Sequence, residues 1–171
     1  MKACLKNNRQ AQHALYDRFA ASMKGVCSRY ANSVADSEDI LQESFIKVFR
    51  NMKQYKDSGQ LGGWIHRITV NTAIEYYRKQ KSIAKQINDL KLDTDTEVSS
   101  ELFQTIDLES LLDKIQNLPN GYRVVFNLYA IEGYNHREIA ERLGISEGTS
   151  KSQFARAKKI LQQQLHAEME Y

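Results

Sequence analysis

Apolar residues recur three and four positions apart through most of this chain, a rhythm that a period-two strand cannot satisfy. Leu15, Phe19, Met23, Val26 and Tyr30 follow steps of four, four, three and four, which places them on one helix face. Leu41, Phe45, Val48 and Met52 form a second stripe, with Asp36 placed to cap that helix and Glu38 and Asp39 in its first turn against the positive dipole end. After a polar break from Gln54 to Gly63, a third helix is expected from near Trp64 to Lys81, burying Ile65, Ile68 and Ile74 with either Thr72 or Ala73. Interruptions are rare: 171 residues include one proline and eight glycines, so the helices meet few breakers. The chain is predicted to be all-α, its first three helices enclosing one small core.

From Ser82 to Ser100 the apolar positions thin out, leaving only the faint rhythm of Ile83, Ile87, Leu90 and Leu92. This stretch reads as a flexible acidic linker, in part helical. The pattern returns from Glu101 through Leu118 and stops at Pro119-Asn120-Gly121. Helices are then expected over Tyr122 to Ile131, Asn135 to Leu143 and the long C-terminal stretch. Two helical domains follow, 1–81 and 101–171, joined by 82–100, with no internal repeat.

Charge is arranged in the same blocks. Residues 1–80 carry 13 basic and 7 acidic side chains, residues 81–115 carry 4 and 8, and residues 116–171 carry 7 and 6. A basic front and a weakly basic end suit two polyanion-facing modules around a solvated connector. No apolar run approaches the roughly 20 residues of a membrane span, and the start lacks a signal-type block, so a cytoplasmic protein without direct membrane insertion is expected. Cys4 and Cys27 lack the paired spacing of a zinc site, and no disulfide is expected. His13, His66, His136 and His166 are scattered, with no metal, phosphate-loop or nucleophile motif beside them, which argues against an enzyme and against any cofactor or metal.

The segment from His136 to about Leu161 reads helix, three-residue turn, helix. Ile139, Ala140, Leu143 and Ile145 are placed to pack across a tight corner, Gly144 to take positive φ, and Ser146 to cap the second helix. Thr149, Lys151, Ser152, Gln153, Ala155, Arg156 and Lys159 occupy faces left free by Phe154, Ile160 and Leu161. They supply donors, acceptors and cations suited to bases and phosphates. A plain helical hairpin with a solvated basic face is the competing reading. Ser150 stands out, because such units often place an apolar residue there; a bond back to a carbonyl one turn earlier, or loose packing, would accommodate it.

Asp36-Ser-Glu-Asp-Ile-Leu-Gln-Glu-Ser-Phe-Ile-Lys-Val-Phe49 and Gly63-Trp-Ile-His-Arg-Ile-Thr-Val-Asn-Thr-Ala73, taken with the helix-turn-helix, resemble an extracytoplasmic-function sigma factor of the sigma-70 family. Leu118-Pro119, Tyr122-Arg-Val-Val-Phe126, Ile131-Glu-Gly-Tyr134, Glu138-Ile-Ala140, Gly148-Thr149 and Arg156-Ala157 look like its region four, in order. The resemblance implies that the first domain is region two, which binds core RNA polymerase and opens the minus-ten element. The second would be region four, which reads the minus-thirty-five element. It also implies contacts with the polymerase β′ clamp and β flap, promoter DNA as partner, and control by an anti-sigma factor. A stand-alone helix-turn-helix regulator is the alternative, since the C-terminal unit alone would serve one.

Site residues follow from stripe and resemblance together. Asp39, Gln42, Glu43 and Ile46 share a mixed acidic and apolar stripe on the second helix, and by resemblance face the basic coiled coil of the clamp. Dipole compensation and solubility are the plainer roles for Asp39 and Glu43. Arg67, Asn71 and Arg78, with Glu75 between them, run below Trp64 on the third helix, a combination that single-stranded DNA rewards. Trp64 serves equally well as a staple at the helix entry. Lys56, Ser58 and Gln60 lie in the loop that, by resemblance, pockets a flipped minus-ten base. The 19-residue connector spans at most roughly 65 Å extended, enough for elements roughly 50 Å apart on duplex DNA. Its Asp89, Asp93, Asp95 and Glu97 are expected to mimic nucleic acid in the polymerase channel.

Overall fold

Helix boundaries here are set by capping groups. A computed structural model describes residues 8–55, 60–87 and 108–169. Among them run seven α-helices and no strand: α1 Arg9–Tyr30, α2 Val34–Asn51, α3 Leu61–Ile87, α4 Leu108–Gln116, α5 Asn120–Phe126, α6 His136–Leu143 and α7 Glu147–Met169. A 3-10 turn, Met52–Gln54, follows α2, and a π-helical turn, Asn127–Ile131, follows α5. The chain divides into two compact units, Met1–Lys81 and Ser82–Tyr171. Lys56, Ser58, the connector acids Asp89, Asp93, Asp95 and Glu97, and Cys4 lie outside the described residues, as does the predicted start of α4 at Glu101.

In the first unit α1 packs along α2, and Met23, Val26, Tyr30, Leu41, Phe45, Val48 and Met52 are buried as their spacing requires. Small polar residues let the helices approach. Ser28 and Ser37 pair their hydroxyls at 3.1 Å, and buried Ser44 donates back to the Ile40 carbonyl at 2.6 Å. Burial pushes the Cys27 thiol up to about 12, which makes it a core side chain and not a reactive one.

Three sequence expectations are corrected. Ser33, not Asp36, caps α2: its hydroxyl accepts the Asp36 amide at 3.1 Å from an extended backbone. Asp36 is thereby freed to accept the Asn32 amide at 3.3 Å and the Tyr76 hydroxyl at 2.6 Å, tying α2 to α3. The third helix begins at Leu61 and continues to Ile87, six residues into the expected linker, because nothing in Ser82–Ile87 breaks a helix. It is also buried on a wider arc than expected. Ile65, Thr69, Val70, Thr72, Ala73, Ile74 and Tyr77 are buried while Ile68 is only half-buried. Thr69 and Thr72 tolerate this by donating to the Ile65 and Ile68 carbonyls.

In the second unit, Ile115, Leu118, Phe126, Ala157 and Leu161 form the core, with Leu111, Tyr122, Phe154 and Ile160 packed against it. Buried Arg123 donates to the Gln116 carbonyl at 2.6 Å, closing the C-terminal end of α4 over Pro119. Gly133 and Gly144 adopt φ of 77° and 64°. A Cβ on Gly144 would meet nothing within 4 Å, so Gly144→Ala should cost about 1 kcal/mol of backbone strain alone. Gly25, in the open middle of α1 and with equally free space, should instead gain about 0.5–1 kcal/mol as alanine. Urea unfolding of the two variants checks the opposite signs.

Candidate protein and nucleic-acid interfaces

All four residues expected to meet a protein partner lie on one groove. Asp39, Gln42, Glu43 and Ile46 project from α2 and are exposed, Ile46 at 49%. Together with Ile40, Lys47, Thr72, Glu75, Tyr76 and Lys79 they line a cleft of ≈ 460 Å³ between α2 and α3. Its floor is fastened by Tyr76–Asp36 and by Lys47, whose Nζ lies 2.6 Å from Glu75 Oε2 and 3.9 Å from Glu43 Oε1. Glu75 therefore turns toward α2 and does not join the basic stripe. The stronger Lys47 contact goes to Glu75, so Glu43 keeps acceptor capacity for an incoming cation.

On the open side of α3, steps of about 100° per residue bring Arg67, Asn71 and Arg78 within about 40° of one another. Both arginines are exposed and Asn71 is half-exposed. Trp64 is half-buried, its ring 5.3 Å from Tyr55, and its amide donates to the carbonyl of exposed Gln60 at 3.1 Å. It thus staples the helix entry and keeps one side toward the basic stripe.

The second unit contains the expected helix-turn-helix. Asn135 and Glu138 form a reciprocal capping box on α6, Gly144 ends it in the left-handed conformation, and the Ser146 hydroxyl accepts the Thr149 amide at 2.9 Å to start α7. Ala140 is buried at the corner. With Ala157 and Leu161 facing the core, helical geometry sets Ser152, Ala155 and Lys159 on the opposite ridge of α7, flanked by Thr149 and Arg156 on one side and Lys151 on the other; Lys151 is exposed, while Thr149, Ser152, Gln153, Ala155, Arg156 and Lys159 are half-buried. Gln153 falls beside Ile160, which packs on the core, and so lies off that ridge. Several of these side chains also have work within the helix. Lys151 pairs with Glu147 at 2.7 Å, Thr149 shares a 2.8 Å hydroxyl contact with Ser146, Ser152 donates to the Thr149 carbonyl, and Arg156 donates to the Tyr122 hydroxyl at 3.3 Å.

Sequence reasoning missed what holds Ser150. It is wholly buried, and its hydroxyl lies 3.0 Å from His136 Nδ1, the first residue of α6, in place of the back-bond one turn earlier. The imidazole stacks on Tyr129 at 4.4 Å and meets the Phe154 ring edge-on at 5.8 Å. The anomalous serine was the available signal; its partner, fourteen residues away across a turn, was not. Burial first, then Lys151, holds the His136 pKa below its ordinary 6.5, while Glu147 acts in the opposite direction.

Comparison with known proteins follows the same division. Residues 15–83 match the family model for sigma-70 region 2, and residues 108–161 match that for sigma-70 region 4. The chain is similar to RNA polymerase sigma factor SigZ of Bacillus subtilis, at 30% identity over 88% of this chain and 85% of the relative. It is also similar to the ECF RNA polymerase sigma-E factor of Haemophilus influenzae, at 26% identity over 94% and 90%. Among solved structures, the sigma factor RpoE in complex with the anti-sigma factor NepR from Bartonella quintana aligns with a TM-score of 0.52 at 18% identity, over 90% of this chain and 96% of that one. This last likeness speaks for the fold. No helix among the described residues is long and apolar enough to cross a membrane.

A depressed histidine pKa makes an unfolded chain the better proton acceptor, so acid should weaken the second unit. Above 6.5 both states hold His136 neutral and the effect is absent. Stability should fall as pH drops below that value, until the folded state is protonated too. Hydrogen exchange of α6 and α7 amides at pH 7.5 and 5.5 should show this loss, and His136→Asn should remove the His136 part of the slope.

Proposed function

The chain belongs to the extracytoplasmic-function sigma factors of the sigma-70 family, and from that premise we propose how its two units share the work of initiation. It is an RNA polymerase sigma factor that directs core polymerase to promoters. The first unit docks on polymerase through the α2–α3 groove, with Asp39 and Glu43 accepting from cations of the clamp while Gln42 and Ile46 add polar and apolar contact. Its α3 stripe of Arg67, Asn71 and Arg78, with Trp64 and the loop residues Lys56, Ser58 and Gln60, holds the minus-ten element once single-stranded. Base stacking or pocketing is worth roughly 1–3 kcal/mol per base, so several such contacts melt a short stretch without nucleotide hydrolysis.

The second unit, with β-flap contacts of its own, sets α7 into the major groove of the minus-thirty-five element. Ser152, Ala155 and Lys159 lead, and Thr149, Lys151, Gln153 and Arg156 flank them. The factor has no catalysis of its own and acts in the cytoplasm, where polymerase and chromosome meet. The complex of RpoE with NepR supports control by an anti-sigma factor that sequesters the chain until a signal arrives.

One observation carries this reading: four residues chosen for a polymerase contact line a single groove in the same chain that bears a complete helix-turn-helix. A stand-alone regulator has no need of that groove. Transcription of a promoter library by core polymerase should require the purified chain; absence of any chain-dependent start would overturn the assignment. Asp39→Ala with Glu43→Ala should weaken core binding by roughly tenfold or more while leaving the melting temperature within a degree or two of wild type, because both side chains are exposed. A large fall in melting temperature would show that these carboxylates are scaffold.

A further inference from the structure

A recognition helix must be held in two respects, its height along the axis and its rotation about it. An apolar residue at position 150 would hold α7 by packing, which is tolerant of small rotations. A hydroxyl is directional. Ser150 is wholly buried at the crossing of α6 and α7, and the side-chain partner of its hydroxyl among the described residues is His136 Nδ1, 3.0 Å away. One turn further along α7, Phe154 meets the edge of the same imidazole at 5.8 Å and the Tyr129 ring at 4.5 Å. The imidazole is in turn stacked on Tyr129 at 4.4 Å and only 15° from parallel. A single ring, seated on the π-helical turn, therefore grips two successive turns of the recognition helix.

We propose that His136 is a positioning residue for promoter discrimination: through Ser150 and Phe154 it fixes the rotation and height of α7, and thereby the aim of the side chains that read the minus-thirty-five bases. This rests on the assignment of α7 as the reading helix. The lever is short but sufficient. Side-chain tips lie about 5 Å from a helix axis, so a rotation of about 20° moves them by roughly 2 Å. That displacement breaks hydrogen bonds to base edges, whereas long lysine and arginine side chains follow the phosphates through it. Loss of the grip should therefore erode sequence discrimination while sparing non-specific attachment.

The test uses holoenzyme assembled from core polymerase and the full chain, on two promoter fragments that differ only in an intact or scrambled minus-thirty-five element, well below the melting temperature of every variant. Wild type must prefer the intact fragment; if it does not, the assignment of α7 fails and not the role of His136. His136→Phe keeps the ring and removes the nitrogen, and should lower the intact-to-scrambled affinity ratio by roughly tenfold, with affinity and salt slope on the scrambled fragment unchanged. Ser150→Ala should lower the ratio similarly, and the double variant should be no worse than either single one. His136→Asn, which retains a polar group near the Nδ1 position, should recover part of the ratio. Equal losses on both fragments, additive losses in the double variant, or a lower melting temperature with an unchanged ratio would each overturn the proposal.

Discussion

The contact on which the second unit depends is the closure of Ala157 and Leu161 of α7 against Ile115, Leu118 and Phe126. It fixes which side of a 23-residue helix is buried, and by subtraction which side is left for the proposed DNA contact. A helix has only about 3.6 positions per turn, so choosing the inward residues leaves no freedom over the outward ones. Ser152, Ala155 and Lys159 lie opposite wholly buried Ala157 and Leu161 around the helix and are themselves half-buried. The aromatic group of Phe126, Tyr129, His136 and Phe154 continues that closure to the start of α6, joining the core to the corner of the helix-turn-helix.

The first unit obeys the same constraint with a different outcome. Its α3 is buried over most of its circumference, which leaves one narrow strip for Arg67, Asn71 and Arg78 and one edge for the groove with α2. Tyr76–Asp36 and Lys47–Glu75 brace that groove from within. These bonds tie α2 to α3 beneath Asp39 and Glu43 without engaging Asp39. The proposed polymerase contact and the proposed single-stranded DNA contact thus fall on different edges of the same three helices.

Much of this was legible in the sequence because helical spacing is a strong signal. The stripes through Met23 and Tyr30 and through Phe45 and Val48 bury as their steps require, Leu161 is buried as expected while Phe154 and Ile160 are half-buried beside it, and Gly144 and Ser146 perform the turn chemistry their types suggest. Errors fell where a choice depended on tertiary partners. Asp36 is a sound N-cap by type, yet Ser33 lies three residues earlier and leaves the carboxylate for Tyr76, forty positions away. Glu75 shares the arginine stripe by sequence, but Lys47 draws it across to α2. The helix Tyr122–Ile131 was expected to be regular, and its turn to a π-helical form after Phe126, where buried Asn127 sits, has no local marker. Ser150 was visible as an anomaly; His136 as its answer was visible only in the fold.

The central claim is that adhesion from two small units, without chemistry of their own, lets a polymerase seize and open a promoter. Permanganate reactivity of minus-ten thymines reports that opening directly. The account predicts reactive thymines only when core polymerase and this chain are both present, without hydrolysable nucleotide. Duplex that stays closed under those conditions, or that opens with the chain alone, would contradict it.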